Sequence, residues 1–128
     1  MRVIIDTNVL LWWMTGSERL TPEWEDIMSA PSNTILVSSI SVAEVGVKAS
    51  IGKLPPTPEP IPEAMTVAGF EELPFTMAHG QALATLPWHH KDPFDRMIIV
   101  QALAEGLPVL TADRVFKQYG LQVISGRS

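Results

Sequence analysis

The stretch Arg2-Val3-Ile4-Ile5-Asp6-Thr7-Asn8 decides how this chain folds. Val3 to Ile5 are apolar and β-branched, a composition that is typical of a short buried strand. The run ends at Asp6 and leads into a helix-like segment, Asn8 to Met14. The sequence therefore begins with a predicted strand and a predicted helix, with an aspartate at the junction between them.

The rest of the chain repeats this alternation of short apolar runs and helical segments. Further strands are predicted at Ile35–Val37, Glu72–Phe75, Val109–Thr111 and Gln122–Ile124. Further helices are predicted from Pro22 to about Ala30, from Ser41 to Ser50 or Ile51, and over Glu63–Gly69, Met77–Leu86, Pro93 to Gly106 and Arg114–Tyr119. Such alternation implies βαβ units and a parallel sheet covered by helices on both faces, an α/β fold.

A proline-rich connector interrupts this pattern. Five of the eight residues from Pro55 to Pro62 are proline, which excludes a helix or a central strand there and predicts a stiff, extended segment. The connector is too short to separate two domains. We therefore expect residues 1–128 to form a single domain, a size that can bury one well-formed core.

Four acidic residues lie where helices are predicted to begin, and these are Asp6, Glu44, Asp95 and Asp113. Ligands of parallel α/β sheets bind outside the carboxyl ends of the strands. If the connections are short and right-handed, all four carboxylates meet at that edge. Converging carboxylates are costly unless a cation neutralises them, and carboxylate oxygens are the ligands that hard divalent cations prefer. The pattern predicts a metal-dependent enzyme.

Each acid also has a structural explanation. Glu44 has capping-box spacing to Ser41, Asp95 favours a helix N-terminus electrostatically, Asp113 is a candidate cap of the next helix, and Asp6 a candidate Asx turn or cap. Capping does not require that four acids converge, whereas cation binding does. Asp92 precedes Pro93 as an N-cap does, so capping is our first interpretation of this residue, and contact with a second metal through water is the alternative.

Other classes of site have little support. The chain has no cysteine, which excludes disulfides, thiolate nucleophiles and cysteine-ligated metals and favours the cytoplasm. His79, His89 and His90 lack the spacing of a histidine–zinc site, and no serine lies in a nucleophile motif. His89, His90 and Lys91 are interpreted as a solvated loop, with phosphate contact as the alternative. No secretory leader is expected, and no apolar run is long enough to span a bilayer.

The formal net charge of −5 argues at first against a nucleic-acid partner. Two bound divalent cations would bring the chain close to neutrality, so the acidity does not exclude a polyanionic substrate that metal ions bring into the site.

Large apolar side chains are concentrated near the N-terminus, and these are Trp12, Trp13, Met14 and Trp24. Some of these side chains are expected in the core, and we predict that one face of the first helix is covered by another chain.

Four segments together make the sequence similar to a known family. They are Val3–Trp12 (VIIDTNVLLW), Ser41–Glu44 (SVAE) continuing to Lys48 and Gly52–Leu54 (GKL), His90–Arg96 (HKDPFDR), and Leu110–Asp113 (LTAD). In this combination and order, the chain resembles the PIN domain, and within it the VapC toxins of bacterial toxin–antitoxin pairs. The resemblance covers essentially the whole chain.

The resemblance implies a Rossmann-like parallel sheet with strand order 3-2-1-4-5. It implies that Asp6, Glu44, Asp95 and Asp113 hold Mg²⁺ or Mn²⁺ in an endoribonuclease that uses metal-activated water. Thr7, Asn8 and Thr111 match positions where the family has small polar residues that orient ligands or water. Asn8 stands where many relatives have histidine. Basic candidates for contact with RNA phosphates are Lys48, Lys91, Arg96 and Arg114.

The resemblance also implies partners. A VapC toxin is inhibited by a cognate VapB-type antitoxin, which inserts a segment into the acidic pocket, and forms homodimers and toxin–antitoxin hetero-oligomers. No membrane association is expected. Two alternatives remain from the residues alone: a PIN-like module that binds without catalysis, and a receiver-type signalling domain that accepts a phosphoryl group on aspartate. The second is disfavoured because Asp6 follows the first strand rather than the third.

Overall fold

The computed structural model describes residues 1–126 and contains one all-parallel sheet of five strands. The strands are β1 (Arg2–Ile5), β2 (Thr34–Ser38), β3 (Glu71–Leu73), β4 (Val109–Leu110) and β5 (Val123–Ile124). Their order across the sheet is β3-β2-β1-β4-β5, which confirms the expected order. A receiver-type domain instead has its first strand between the second and third. The receiver alternative is therefore wrong.

Six α-helices connect or follow the strands. They are α1 (Thr7–Thr15), α2 (Pro22–Ser29), α3 (Ser39–Ser50), α4 (Ile61–Ala68), α5 (Met77–Ala82) and α6 (Pro93–Glu105). Two 3₁₀ segments, Leu83–Thr85 and Arg114–Tyr119, complete the helical structure of the described residues. The predicted helix Met77–Leu86 is thus divided, since its last turn is a 3₁₀ segment. No helix among residues 1–126 is both long enough and apolar enough to cross a membrane.

Helix α4 begins earlier than predicted. The proline content predicts no helix as far as Pro62, whereas α4 begins at Ile61 with Pro62 in its first turn. Proline is tolerated there because the first backbone N–H groups of a helix have no partner inside the helix. The residues between Gly52 and Pro60 contain neither helix nor strand, as the proline content predicts.

The sheet has an apolar core on each face. Alternate residues of β1 point to opposite faces, so Val3 and Ile5 join one cluster while Ile4 joins the other. The first cluster includes the buried Trp24 of α2, and the second includes the buried Ile98 of α6. A sheet buried on both faces requires continuous apolar strands, which explains the composition of β1.

Pairing between β1 and its neighbours determines what meets at the carboxyl edge. Ile5 is in register with Val37 of β2 and with Leu110 of β4. The next residue, Asp6, donates its backbone N–H to the Leu110 carbonyl over 3.1 Å. Asp6 therefore lies beside Thr111, and the polar residues that follow β1, β2 and β4 share one edge of the sheet.

Candidate active site

Asp6 lies at the centre of this edge. Its side chain is 4% exposed and caps α1, since Oδ1 accepts the backbone N–H of Val9 over 2.9 Å. The other carboxylate oxygen, Oδ2, accepts the hydroxyl of Thr111 in a short hydrogen bond. The capping alternative for Asp6 is thus correct as local structure. Capping uses Oδ1 and Thr111 contacts Oδ2, and each oxygen retains a second lone pair that can face a cation.

Burial raises the pKa of Asp6 to about 6, mainly because the charged form loses its hydration. The hydrogen bonds from Thr111 and Val9 act in the opposite direction, and the negative charges of Asp113 and Glu44 raise the pKa further. A buried carboxylate near other acids is unfavourable in its ionised form unless positive charge is supplied.

Glu44 enters the site from α3. The predicted capping box of Ser41 and Glu44 is wrong, because α3 begins at Ser39 and its N-cap is Ser38, whose hydroxyl accepts the N–H of Ile40. Ser41 instead accepts a hydrogen bond from the Thr7 hydroxyl at 2.9 Å. One turn further along α3, Glu44 is buried and faces the site.

The two oxygens of Glu44 have different surroundings. Lys48, one helical turn later, pairs with Oε2. Oε1 is buried and has no hydrogen-bond partner among the described residues. A buried carboxylate oxygen without a partner is rare and calls for a ligand or an ion. Glu23 Oε2 on α2 is also buried without a partner among the described residues, so it is the nearby charges of Asp6 and Asp95 that make Glu44 Oε1 a candidate metal ligand.

Asp92 and Asp95 come from the start of α6. Asp92 is the N-cap, as predicted, and its Oδ1 accepts the N–H of Asp95 over 3.0 Å. Asp95 is free of a capping role. Its pKa is raised to about 7, first by burial and then by the negative charges of Asp92, Asp6 and Glu44, while His90 lowers it. These electrostatic couplings place Asp95 with Asp6 and Glu44 at one site.

Asp113 follows β4 and is joined by a residue that the sequence analysis had interpreted as part of a solvated loop. Asp113 Oδ1 accepts the N–H of Val115, and Oδ2 lies 2.7 Å from Nε2 of His90. The same Nε2 is 3.3 Å from Oδ2 of Asp95. One potential ligand atom from each of His90, Asp95 and Asp113 lies within 4.8 Å of the others. His90 is therefore part of the site.

The orientation of His90 determines its chemistry. Its Nδ1 accepts the backbone N–H of Asp92 at 3.1 Å, so in the neutral ring the proton is on Nε2 and is donated to Asp113. Tyr119 accepts the backbone N–H of His90 through its hydroxyl. No motif spacing identifies such a histidine. The available signals were its place two residues before the predicted cap of α6 and its inclusion in the family-like segment His90–Arg96.

We call Asp6, Glu44, Asp95 and Asp113 the acidic cluster. Its members follow β1, β2 and β4 or begin α6, so four separate parts of the chain contribute. The residues fit a divalent metal ion: carboxylate oxygens dominate, Glu44 Oε1 has no partner among the described residues, and burial and mutual repulsion raise the pKa values of two members. Oxygen donors favour Mg²⁺ or Mn²⁺ over softer metals.

The supporting polar residues divide into two groups. Thr111 bridges two members of the acidic cluster, because its hydroxyl donates to Asp6 and accepts the N–H of Asp113. Thr7 is buried against Ser41. Asn8 is exposed on α1. All three residues match positions where the family resemblance implies ligand-orienting side chains, and Thr111 forms direct hydrogen bonds to the acids.

The four basic candidates also differ. Lys91 and Arg114 are exposed beside His90 and Asp113 respectively, and Lys48 is paired with Glu44. Arg96 is buried and donates to the carbonyls of Leu86, Pro87 and His90. The predicted phosphate contact of Arg96 is not supported, because its guanidinium is committed to the loop that precedes α6.

Structural comparisons identify similar folds. VapBC2 from Rickettsia felis, solved bound to a DNA fragment from their promoter, matches with a TM-score of 0.70 and 21% identity, over 97% of this chain and 98% of that chain. FitAcB from Neisseria gonorrhoeae matches with a TM-score of 0.67 and 21% identity, over 98% of both chains. A toxin–antitoxin complex from Klebsiella pneumoniae matches with a TM-score of 0.65 and 19% identity, over 98% of both chains.

These identities are low, so the structural matches establish the fold and no more. No curated protein matches this chain. At the level of sequence families, the model of the PIN domain matches residues 3–121, which include every member of the acidic cluster. That match extends over nearly the whole chain, and we conclude that this protein belongs to the PIN-domain family.

Proposed function

We propose that the protein is a metal-dependent endoribonuclease of the VapC type, a toxin that hydrolyses RNA phosphodiester bonds. The observation that carries the proposal is the acidic cluster, in which Oε1 of Glu44 is buried without a hydrogen-bond partner among residues 1–126. Membership of the PIN-domain family supports nuclease chemistry. The metal and the RNA substrate are part of the proposal.

Asp6, Glu44, Asp95 and Asp113 would hold Mg²⁺ or Mn²⁺. When bound, the metal supplies a water molecule that is more easily deprotonated and positive charge beside the scissile phosphate. The remaining residues orient these ligands. Thr111 fixes Asp6, and His90 together with the N–H of Val115 fixes both oxygens of Asp113. Such fixed orientation reduces the reorganisation that the site needs when the reaction occurs.

Exposed cations near the acidic cluster favour an anionic polymer as substrate. Arg114 and Lys117 lie on the 3₁₀ segment that Asp113 caps, and both line a cavity of about 340 Å³ together with Asp113 and Ser125. Lys91 is exposed beside His90. Lysine and arginine contribute sequence-independent binding of phosphates. We therefore favour Lys91 and Arg114 for phosphate contacts over Lys48, which pairs with Glu44, and Arg96, which donates to loop carbonyls.

An antitoxin partner and a homodimer complete the proposal. Three similar structures are described as VapBC2, FitAcB and a toxin–antitoxin complex, and they share the fold over almost the whole chain. A cognate VapB-type antitoxin would cover the acidic cluster.

The surface available for a homodimer at α1 is small. The tryptophans of α1 pack mostly against residues of the same chain, because Trp12 stacks on Trp24 and Trp13 packs on Phe70. Only their partly exposed edges remain for a second copy.

The test is incubation of the purified chain with a panel of structured and unstructured RNAs in Mg²⁺, Mn²⁺ or EDTA. Asp6→Asn removes a central ligand with little change in shape, and Asp26→Asn, an exposed acid of α2, is the matched control. We expect metal-dependent cuts by the wild type and by Asp26→Asn, and a loss of at least about 100-fold in Asp6→Asn. Cuts that persist in EDTA or in Asp6→Asn would contradict the proposed site.

The second candidate function is a PIN-domain module that binds without catalysis. It is favoured if thermal shift shows metal binding by the acidic cluster while no RNA in the panel, including total cellular RNA, is cut. The intact set of four acids argues for the nuclease, since a binding module has no need for four converging carboxylates.

A further inference from the structure

Trp88 is exposed in a way that the other aromatic residues are not. Its side chain is 77% accessible, whereas Trp24 is buried and Trp12 and Trp13 are partly covered by neighbours. It is the one aromatic residue among the exposed large hydrophobic side chains of residues 1–126. An indole in contact with water lacks the stabilisation that burial would give, so its position requires an explanation.

The ring of Trp88 is held from one side. The guanidinium carbon of Arg96 lies 3.6 Å from the ring centroid, which is a close cation–π contact. Arg96 itself is fixed, because it is buried and donates to the carbonyls of Leu86, Pro87 and His90. The Tyr119 hydroxyl also donates to the Pro87 carbonyl at 2.7 Å. The loop is therefore preorganised and presents the free face of the indole to solvent.

The loop that holds Trp88 also reaches the acidic cluster, because Arg96, on which the indole stacks, donates to the carbonyl of His90. His90, two residues after Trp88, contacts Asp113 and Asp95, and Arg96 is the next residue after Asp95 in α6. A polynucleotide that binds at the acidic cluster and continues along this loop would reach the indole. Exposed Lys91 lies on the same loop and provides positive charge for the backbone between them.

We propose that Trp88 is a stacking platform for one base of a single-stranded nucleic-acid substrate, next to the bond that is cut. The inference rests on the proposed nuclease function and adds a specificity-determining residue to it. Planar aromatic side chains beside a cationic path are how proteins bind unpaired bases, and a duplex has no unstacked base to offer.

The charge around the ring favours a base over a basic side chain of a protein partner. One face of Trp88 is already occupied by the Arg96 guanidinium. A second cation on the opposite face would meet the repulsion of the first across the thin ring, whereas a neutral base would not. Stacking of a base on the free face therefore adds to the existing contact rather than competing with it.

The test measures binding of a short single-stranded oligoadenylate and of a paired duplex of equal length by fluorescence anisotropy, in Mg²⁺. All variants carry Asp6→Asn so that the probes are not cut. Trp88→Leu keeps apolar cover on Arg96 but removes the ring, and Trp88→Tyr keeps an aromatic face. Met77→Ala is the matched control, since Met77 is an even more exposed apolar residue near the far end of α6.

We expect Trp88→Leu to weaken single-strand binding about tenfold and Trp88→Tyr less than about threefold, with duplex binding and the Met77→Ala variant unchanged. Bound oligoadenylate should also quench indole emission in the chain that retains Trp88 and not in Trp88→Leu. Equal affinities for all variants with equal melting temperatures would overturn the proposal. Equal losses in Trp88→Leu and Trp88→Tyr would overturn it as well.

Cleavage by the otherwise wild-type chain separates this inference from the proposed function. Metal-dependent cleavage with a raised KM in Trp88→Leu supports both. Metal-dependent cleavage with an unchanged KM in Trp88→Leu leaves the nuclease standing and removes the stacking role. If the wild type neither binds nor cuts any nucleic acid, the proposed function fails and the inference fails with it.

Discussion

Asp95 is the member of the acidic cluster whose pKa is raised most. Its pKa is raised from 3.8 to about 7, first by burial and then by the charges of Asp92, Asp6 and Glu44. Between these two values the folded chain binds a proton that the unfolded chain does not. The stabilisation from this proton is complete below the unfolded pKa and is lost as pH rises through the folded pKa. Asp6, with a pKa of about 6, acts in the same direction.

We therefore predict that, in EDTA, the free energy of unfolding falls as pH rises from about 4 to about 8. Asp95→Asn should remove part of this fall and be more stable than the wild type at pH 8, by roughly 1–2 kcal/mol after allowance for solvent screening. Urea denaturation across this pH range measures the effect. Asp26→Asn, which changes the same charge on an exposed surface, should follow the wild type. An Asp95→Asn curve parallel to the wild type would contradict the raised pKa.

The end of β5 is held against α2 by contacts with Trp24 that the sequence does not predict. Trp24 donates its indole N–H to the Ile124 carbonyl at 2.9 Å, and Gly126 packs against the same indole. A Cβ on Gly126 would lie 2.5 Å from Cε2 of Trp24. Gly126 also has a φ of +77°, a backbone conformation in which residues other than glycine are strained.

We predict that Gly126→Ala destabilises the protein by about 2–3 kcal/mol, since both backbone strain and the clash with Trp24 oppose it. Gly120→Ala is the matched control: its φ is +78° but no heavy atom lies within 4 Å of the added Cβ. It should cost only about 1 kcal/mol for the backbone. Urea denaturation compares the two variants. Equal losses would show that α2 moves freely away from β5.

Helix caps mark where prediction from the sequence succeeded and where it failed. Asp92-Pro93 and Gly106 define α6 because an N-cap, a first-position proline and a left-handed C-cap glycine act locally. For α3, Ser38 and Ser41 are both plausible caps, and the pairing of β2 with β1 decides in favour of Ser38. A local sequence pattern carries no information about that strand pairing, so it does not identify the N-cap of α3.

The candidate site likewise combines residues that local sequence patterns indicate with residues that they do not. Each of the four acids follows a strand, starts a helix or lies within the first turns of one, which periodicity and turn chemistry can indicate. The position of His90 between Asp95 and Asp113, and the burial of Arg96, depend on how the loop before α6 folds back on Tyr119. Long-range contacts of this kind leave no periodic signal in the sequence.

The whole molecule has a net charge of −5, and the acidic cluster places part of that charge at the carboxyl edge of the sheet, where Asp6 and Glu44 are buried. A ligand that binds only the folded state stabilises it, by about 2.7 kcal/mol when its concentration is 100 times Kd.

We predict that Mg²⁺ and Mn²⁺ raise the melting temperature at pH 8, and that NaCl of equal ionic strength raises it less. Asp6→Asn should abolish most of the metal-specific part, whereas Asp26→Asn should retain it. Differential scanning fluorimetry with a metal titration measures these shifts. An equal rise in Asp6→Asn would show that the ions act by general screening of surface charge rather than by binding at the carboxyl edge of the sheet, because screening does not depend on which carboxylate is removed.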